Sequence, residues 1–498
     1  MTERLYKTDY AFTGARARPL EQAVESATMK LSLLKQNVGA RRDLIIAGPI
    51  PKTILLLSLP TLLMGIVQAL LPVIDGLYIN NIAGTAAASA VTFCFPITGM
   101  IVGLAQGLGS AGMAMIGQAN GRKDFREGRR IASQLVVFSA ALGVALAPVL
   151  FGLAYPISAS VDSTISGDVF LYLAYSALLI PFSFLEAIYN ALKNAEGKPE
   201  AAFVRMVLLL VLKVAFNALF LAVFRWGIVG AVMASLAANV LISGWMYVEL
   251  FVRRGDGRLS LNGFRFDRAT ISDLVRVGAP SMLSNLILYA GFYLINNEVQ
   301  KYGPDVLNGQ GIANNISSVC FIAPSSFAAA VTTMVSMNVG AGQGERARTV
   351  TWVGCVMSAV TAALLIAIIV PASSSLTVMF TRETQVLDVA NKALHIYTYS
   401  VVGFGVCMTQ LGAFIGLGRT RITLVASILR IWLLRYLFIL LTEQVLGVYS
   451  VFWGNLFSNY VAAAITTVMV LRVKWTTVTP LASSLPRPLR AEKQSHAA

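Results

Sequence analysis

The chain has 498 residues, of which 56% are apolar and only 13% charged, with a mean hydropathy of +0.70 and a formal net charge of +15. Soluble domains carry about 25% charged residues, so this composition excludes an ordinary soluble protein and points to the bilayer. Two histidines, four cysteines without close CxxC spacing, and no GxSxG, HExxH or GxxxxGK[ST] pattern exclude the common metal, hydrolytic and nucleotide-phosphate chemistries.

Residues 1–30 lack the continuous apolar core of a secretory signal, and 1–50 read as an N-terminal tail. Leu20, Val24, Leu31 and Leu34 either line one face of a short amphipathic helix or belong to a leader without fixed structure. Runs of about 20 apolar residues, enough to cross ~30 Å of hydrocarbon as a helix, then follow one another. The first half predicts spans at 53–80, 87–117, 130–155, 167–192, 201–224 and 228–252, an N-lobe over 51–252. A charged linker, 253–275, carries Gly255, Gly257 and Gly263. Spans at 276–300, 307–338, 348–372, 386–415, 421–441 and 448–472 form a C-lobe over 276–473, and 474–498 is a polar tail. The fold class expected is an all-α integral membrane protein of twelve transmembrane helices in two pseudo-symmetric six-helix lobes.

Landmark residues support the division by recurring at an offset of 220 or 221. Pro60 answers to Pro280, Gly121 to Gly342, Gly197-Lys198 to Gly418-Arg419, Gly227 to Gly447, and Asn239 to Asn459. A duplicated membrane chain implies two lobes with a site between or within them.

Basic residues set the orientation. Taken alternately, one set of connections holds Arg41, Arg42 and Lys52, then Arg122, Lys123, Arg126, Arg129 and Arg130, and continues so to Arg472 and Lys474. The opposite set holds only Arg225, Lys301, Arg382 and Lys392. The positive-inside rule then places both termini in the cytoplasm of a multi-pass protein of the cell's inner membrane. Anionic headgroups account for the positive charge, so no nucleic-acid partner is expected.

Ionisable residues inside spans are costly and carry the functional reading. Asp75 lies in Pro72-Val-Ile-Asp75-Gly76, with no basic neighbour in sequence. Pro72 cannot donate to residue 68, so the helix should bend or loosen beside a carboxylate able to change protonation. Lys213 lies one turn before Asn217 on the same face of the fifth span, and Asp75 and Glu186 are both candidate partners for it. Ser183, Glu186 and Asn190 form a polar stripe on the fourth span that lines a cavity or an interhelical seam. Arg430 and Arg435 read as structural or lipid-facing. Gly99, Gly103 and Gly107 repeat every four residues, a spacing that lets helix backbones approach.

Pro60 with Gln68 and Asp75, Gly117-Gln-Ala-Asn-Gly-Arg, Asn217 before Gly227-Ile-Val-Gly230-Ala, and Asn338-Val-Gly-Ala-Gly resemble the multidrug and toxic compound extrusion (MATE) family, nearest its DinF-like branch. The resemblance spans roughly Pro51 to Val473. It implies a monomeric alternating-access exporter, not an enzyme, that exchanges small amphiphilic or cationic substrates for protons or sodium ions and needs no other cofactor. It also implies that Asp75 is the coupling carboxylate, Gln68 a drug-cavity residue, and Asn217 and Ser235 parts of the ion site. The family's fifth-helix aspartate is replaced here by Leu221, and Leu288 stands where one branch carries a glutamate. Losing a carboxylate weakens a site for a hard cation, which favours proton coupling. A lipid-linked saccharide flippase and a non-transporting receptor or scaffold are the rival readings.

Overall fold

The computed structural model describes residues 38–79, 82, 85–161, 163–253, 258–261, 264–380 and 383–481. Leu20, Val24, Leu31 and Leu34, Arg382, and the linker glycines Gly255, Gly257 and Gly263 lie outside them. Among the described residues every regular element is a helix. The first half holds α1 (Val38–Ala47), α2 (Ile50–Tyr78), α3 (Thr85–Gly121), α4 (Phe125–Ala159), α5 (Ser163–Ser176), α6 (Ile180–Ala195), α7 (Pro199–Asn217) and α8 (Gly227–Tyr247). The second holds α9 (Arg268–Gln300), α10 (Pro304–Gly340), α11 (Gly344–Val378), α12 (Thr384–Gly416), α13 (Thr420–Ile428), α14 (Leu437–Leu446) and α15 (Tyr449–Leu471).

Eleven of these rods are long and apolar enough to cross a membrane, counting α5 with α6 and α13 with α14 as single rods. The twelfth, α9, has 33 residues and carries Pro280, Ser281, Ser284 and Asn285 in its middle. It starts eight residues before the span expected at 276, because Asp267 caps it by accepting from the Ala269 amide, and the same carboxylate pairs with Arg130 on α4. The fourth rod breaks at a 3-10 turn, Ala177–Leu179. Pro181 is the cause, since it has no N–H to offer residue 177. In contrast, α2 runs through Pro60 and Pro72 as one helix.

Each lobe has its own apolar core. Leu108, Met115, Leu135, Ile188, Met206 and Ile242 centre the N-lobe, and Val331, Met334, Val350, Leu411, Phe414 and Ala462 the C-lobe. The duplication is visible in the backbone. Gly197 and Gly418 have φ of +72° and +73°, and Gly227 and Gly447 have +58° and +54°. These left-handed turns favour glycine and end or begin corresponding helices in the two halves. The Gly121–Gly342 pair is looser: Gly342 has φ +76°, whereas the left-handed residue in the first half is Lys123 at +67°.

The lobes join along α3, which packs against α9 and α10. Gly107 makes this possible, because a Cβ there would stand 2.4 Å from the Met282 backbone nitrogen. Nearer the basic loops, Gln118 donates to the Gly416 carbonyl at 2.9 Å and accepts from the Leu481 amide at 2.8 Å. α1, absent from the sequence reading, sits at this end: Arg41 pairs with Glu200 and Arg42 donates to the Gly121 carbonyl on the N-lobe side. Arg346 of the C-lobe donates to the Gly48 carbonyl just beyond α1. The bundle is therefore sealed at the end that carries the basic loops.

Gly340 is among the tightest points of that seal, since a Cβ there would stand only 2.0 Å from the Gln118 carbonyl oxygen. Gly340→Ala is expected to destabilise the protein by about 1–3 kcal/mol, the usual cost of overpacking. Gly152→Ala, where a Cβ meets nothing within 4 Å, should not. Thermal unfolding of the two variants in detergent checks this.

Candidate functional site

Asp75 lies three residues past Pro72 on α2, toward the end opposite the basic loops. Lys213 and Asn217 stand one turn apart on α7, and their common face meets α2. Both reach the carboxylate. The Lys213 ammonium forms an ion pair with Asp75 Oδ2, and Asn217 Nδ2 donates to Oδ1 at 2.9 Å. The side chains of Asp75 and Lys213 are 23% and 14% exposed, and Asn217 is fully buried. Two unit charges at 4 Å attract by about 4 kcal/mol at an effective dielectric of 20, less the cost of desolvation. Lys213 therefore takes Asp75, not Glu186, as its partner.

Backbone geometry shapes this corner. α7 passes into a π-helical turn, Ala218–Val223, directly after Asn217. Such i→i+5 turns rotate the residues beyond them and recur at functional sites. Leu221, one turn after Asn217, is fully buried in an apolar cluster with Ile79, Phe184 and Ala231. Leucine brings no oxygen ligand to this position. Asn217 Oδ1 is buried without a hydrogen-bond partner, so the amide has an unused acceptor beside Asp75.

The remaining sequence candidates are not part of this cluster. Gln68 is exposed on the face of α2 that carries Asp75, seven residues away, or about 10 Å along the axis. Ser235 donates to the Ala231 carbonyl of its own helix at 3.0 Å. Ser183 does the same toward Leu179 at 3.2 Å. Glu186 and Asn190 are engaged by Arg205 of α7, whose Nη1 lies 2.9 Å from the Glu186 carboxylate and whose Nε donates to Asn190 Oδ1 at 3.3 Å. The polar stripe on α6 is thus drawn into a seam with α7. Arg205 was missed in sequence, although it is a buried charge in an apolar run, as Lys213 is. A further polar cluster nearer the basic loops joins Lys193 to Glu249 at 2.9 Å, with Tyr189 donating to the same carboxylate at 2.6 Å.

Among the described residues no group of three or more His, Cys, Asp or Glu side chains is placed to hold a metal ion. Cys94, Cys320, Cys355 and Cys407 are buried free thiols.

Comparison with known proteins agrees with this architecture. The family model described as MatE matches residues 60–219 and again 280–441, one copy in each lobe. The chain is 23% identical over 390 residues to the "Probable multidrug resistance protein YoeA" of Bacillus subtilis (strain 168), covering 76% of this chain and 83% of that protein. It is 20% identical over 425 residues to the "Multidrug export protein MepA" of Staphylococcus aureus (strain MRSA252), covering 84% and 92%. A solved structure described as the "Outward-facing conformation of a multidrug resistance MATE family transporter of the MOP superfamily" superposes with a TM-score of 0.81 at 22% identity, covering 86% of this chain and 96% of that one. The two matched segments, the helical duplication and the rods long enough to span a bilayer make one case: this multi-pass membrane protein belongs to the MatE family of transporters.

Proposed function

We propose that the chain is a proton-coupled antiporter that exports small amphiphilic or cationic compounds, with Asp75 as its coupling residue. The observation that carries this reading is the Asp75 cluster: a membrane carboxylate already neutralised by Lys213 and hydrogen-bonded by Asn217. A sodium ion would have to displace a fixed ammonium and would find Leu221 where an oxygen ligand is needed. A proton needs no coordination shell. Protonation removes the negative charge, releases Lys213, and turns the carboxyl into a donor that Asn217 Oδ1 can accept once the amide turns.

The coupling then follows from competition. In the ionised state the Asp75–Lys213 pair ties α2 to α7. In the protonated state the tie is lost where Pro72 already leaves the helix one hydrogen bond short. A ligand drives such a change only through unequal affinity for the two states, and the proton has it, because it binds the unpaired carboxylate best. Relatives named for multidrug resistance and export support the substrate class. Lys213, which as a cationic lining residue would lend some weight to the flippase alternative, is paired with Asp75.

Efflux from inverted vesicles, with proton and sodium gradients imposed separately, tests this reading. A proton gradient alone should drive export of a fluorescent cation; export driven only by sodium overturns it. The orientation is tested by cysteine labelling in a background without the four native thiols. Positions at Ser163 and at Val445, which is 85% exposed, should label from outside intact cells, and Lys123 should not. Labelling in that pattern would put the sealed, basic-loop end on the cytoplasmic side.

A further inference from the structure

Among the described residues, one buried guanidinium in the C-lobe has no carboxylate partner. Between α13 and α14 the chain runs through a π-helical segment, Leu429–Tyr436. Bonding from i to i+5 brings residues five apart onto one face, so Arg430 and Arg435, which an α-helix would point to different sides, both turn inward. They are 8% and 9% exposed, buried in the lobe, which fits the structural half of the sequence reading and not the lipid-facing half. A charge so placed is costly unless paired.

Among the described residues no carboxylate is in contact with Arg430. Its Nη1 donates to Asn459 Oδ1 at 3.2 Å, and its plane lies over the Phe404 ring, 5.4 Å from the centroid. The Cys407 thiol is a further neighbour, and Arg435 adds a second positive charge close by, beside the Tyr397 hydroxyl. Arg430 Nε is buried with no hydrogen-bond partner. Four carboxylates of this lobe are taken up elsewhere: Glu298 by Lys301, Glu345 by Arg348, Asp388 by Lys392, and Glu443 by the Tyr302 hydroxyl. Asn459 and Asn455 present further amide donors in the same shell, with Asn459 Nδ2 donating to Asn455 Oδ1 at 3.2 Å and Asn455 Nδ2 to Ser400 Oγ at 3.2 Å.

We propose that Arg430 anchors a binding site for a small inorganic anion of the chloride class inside the C-lobe. The surroundings fit such a ligand in three ways: net positive charge, an unused N–H, and amide donors that can turn toward an acceptor. Close burial limits its size, which favours a halide or nitrate over an organic anion as large as gluconate. The ion serves as the missing countercharge and stabilises the lobe by binding the folded state alone.

The test uses full-length protein in neutral detergent, with its six tryptophans reporting thermal unfolding in chloride against gluconate at equal pH and ionic strength. Chloride should raise the midpoint of the unmodified protein saturably, by about 2 °C or more, with bromide and nitrate able to replace it. Arg430→Gln should lose that response and Arg430→Lys keep part of it. Asn459→Asp sets a carboxylate against the guanidinium in the ion's place, so it should hold a high midpoint in gluconate and ignore chloride. The Asn459→Asp variant decides the matter even where Arg430→Gln does not fold. Equal midpoints of the unmodified protein in chloride and gluconate, or a normal chloride response in Asn459→Asp, overturn the proposal.

Discussion

Asp75→Asn is expected to abolish gradient-driven export while the protein still inserts and purifies as a single species. Asparagine keeps the shape of the protonated carboxyl and can still accept from Asn217, whose amide now donates to Asp75 Oδ1 at 2.9 Å. It cannot take up or release a proton, so the tie between α2 and α7 no longer responds to the gradient. Flux in inverted vesicles should fall to that of vesicles without the protein. Binding of a fluorescent cation to detergent-purified protein should weaken as well, because the ionised state is lost. Some stability is lost too, since Lys213 is left without its partner. Removing one member of a fully buried pair costs about 3–5 kcal/mol, and less applies where the two side chains are 14% and 23% exposed. Normal proton-driven export by this variant would remove Asp75 from the mechanism.

What could be read from the sequence follows from which interactions are local. Membrane spans were legible because each is set by the apolar content of about 20 consecutive residues. The duplication was legible because Gly197 and Gly418, and Gly227 and Gly447, hold left-handed turns that few other residues tolerate. The glycine stripe on α3 signalled a close helix contact, and the partner proved to be α9 of the other lobe. Pairing across the chain was not legible: Asp75 and Lys213 are 138 residues apart, and periodicity could not choose between Asp75 and Glu186. Arg205 settled that choice by engaging Glu186. The π-helical turns at Ala218–Val223 and Leu429–Tyr436 carry no sequence signature, yet the second decides which way Arg430 and Arg435 face. α1 was read as tail because its ten residues are too short and too polar for a span. Its burial depends on a groove that exists only once the lobes meet.

Lys213 should make this transporter indifferent to sodium, and changing it should have the second largest effect. Lys213→Ala leaves the Asp75 carboxylate without its ammonium, so the variant should unfold at lower temperature and export poorly. Asp75→Ala combined with Lys213→Ala removes both charges. Apolar replacement of a whole ion pair is often neutral or stabilising, so the double variant should regain the midpoint lost in Lys213→Ala while export stays at background. That split separates a pair that only holds the fold from one that also carries coupling: recovery of export along with stability would show that Asp75 does not couple. The complementary change, Lys213→Asn with Leu221→Asp, withdraws the fixed ammonium and adds a carboxylate one turn after Asn217. Asp75, Asn217 and the new residue would then face one another with oxygen ligands, the chemistry a hard cation selects. Sodium should raise the thermal midpoint of this variant and stimulate its export, with no effect on the unmodified protein. Sodium-stimulated export by the unmodified protein would mean that the ammonium does not fill the cation's place, and proton coupling through the Asp75–Lys213 pair would fall with it.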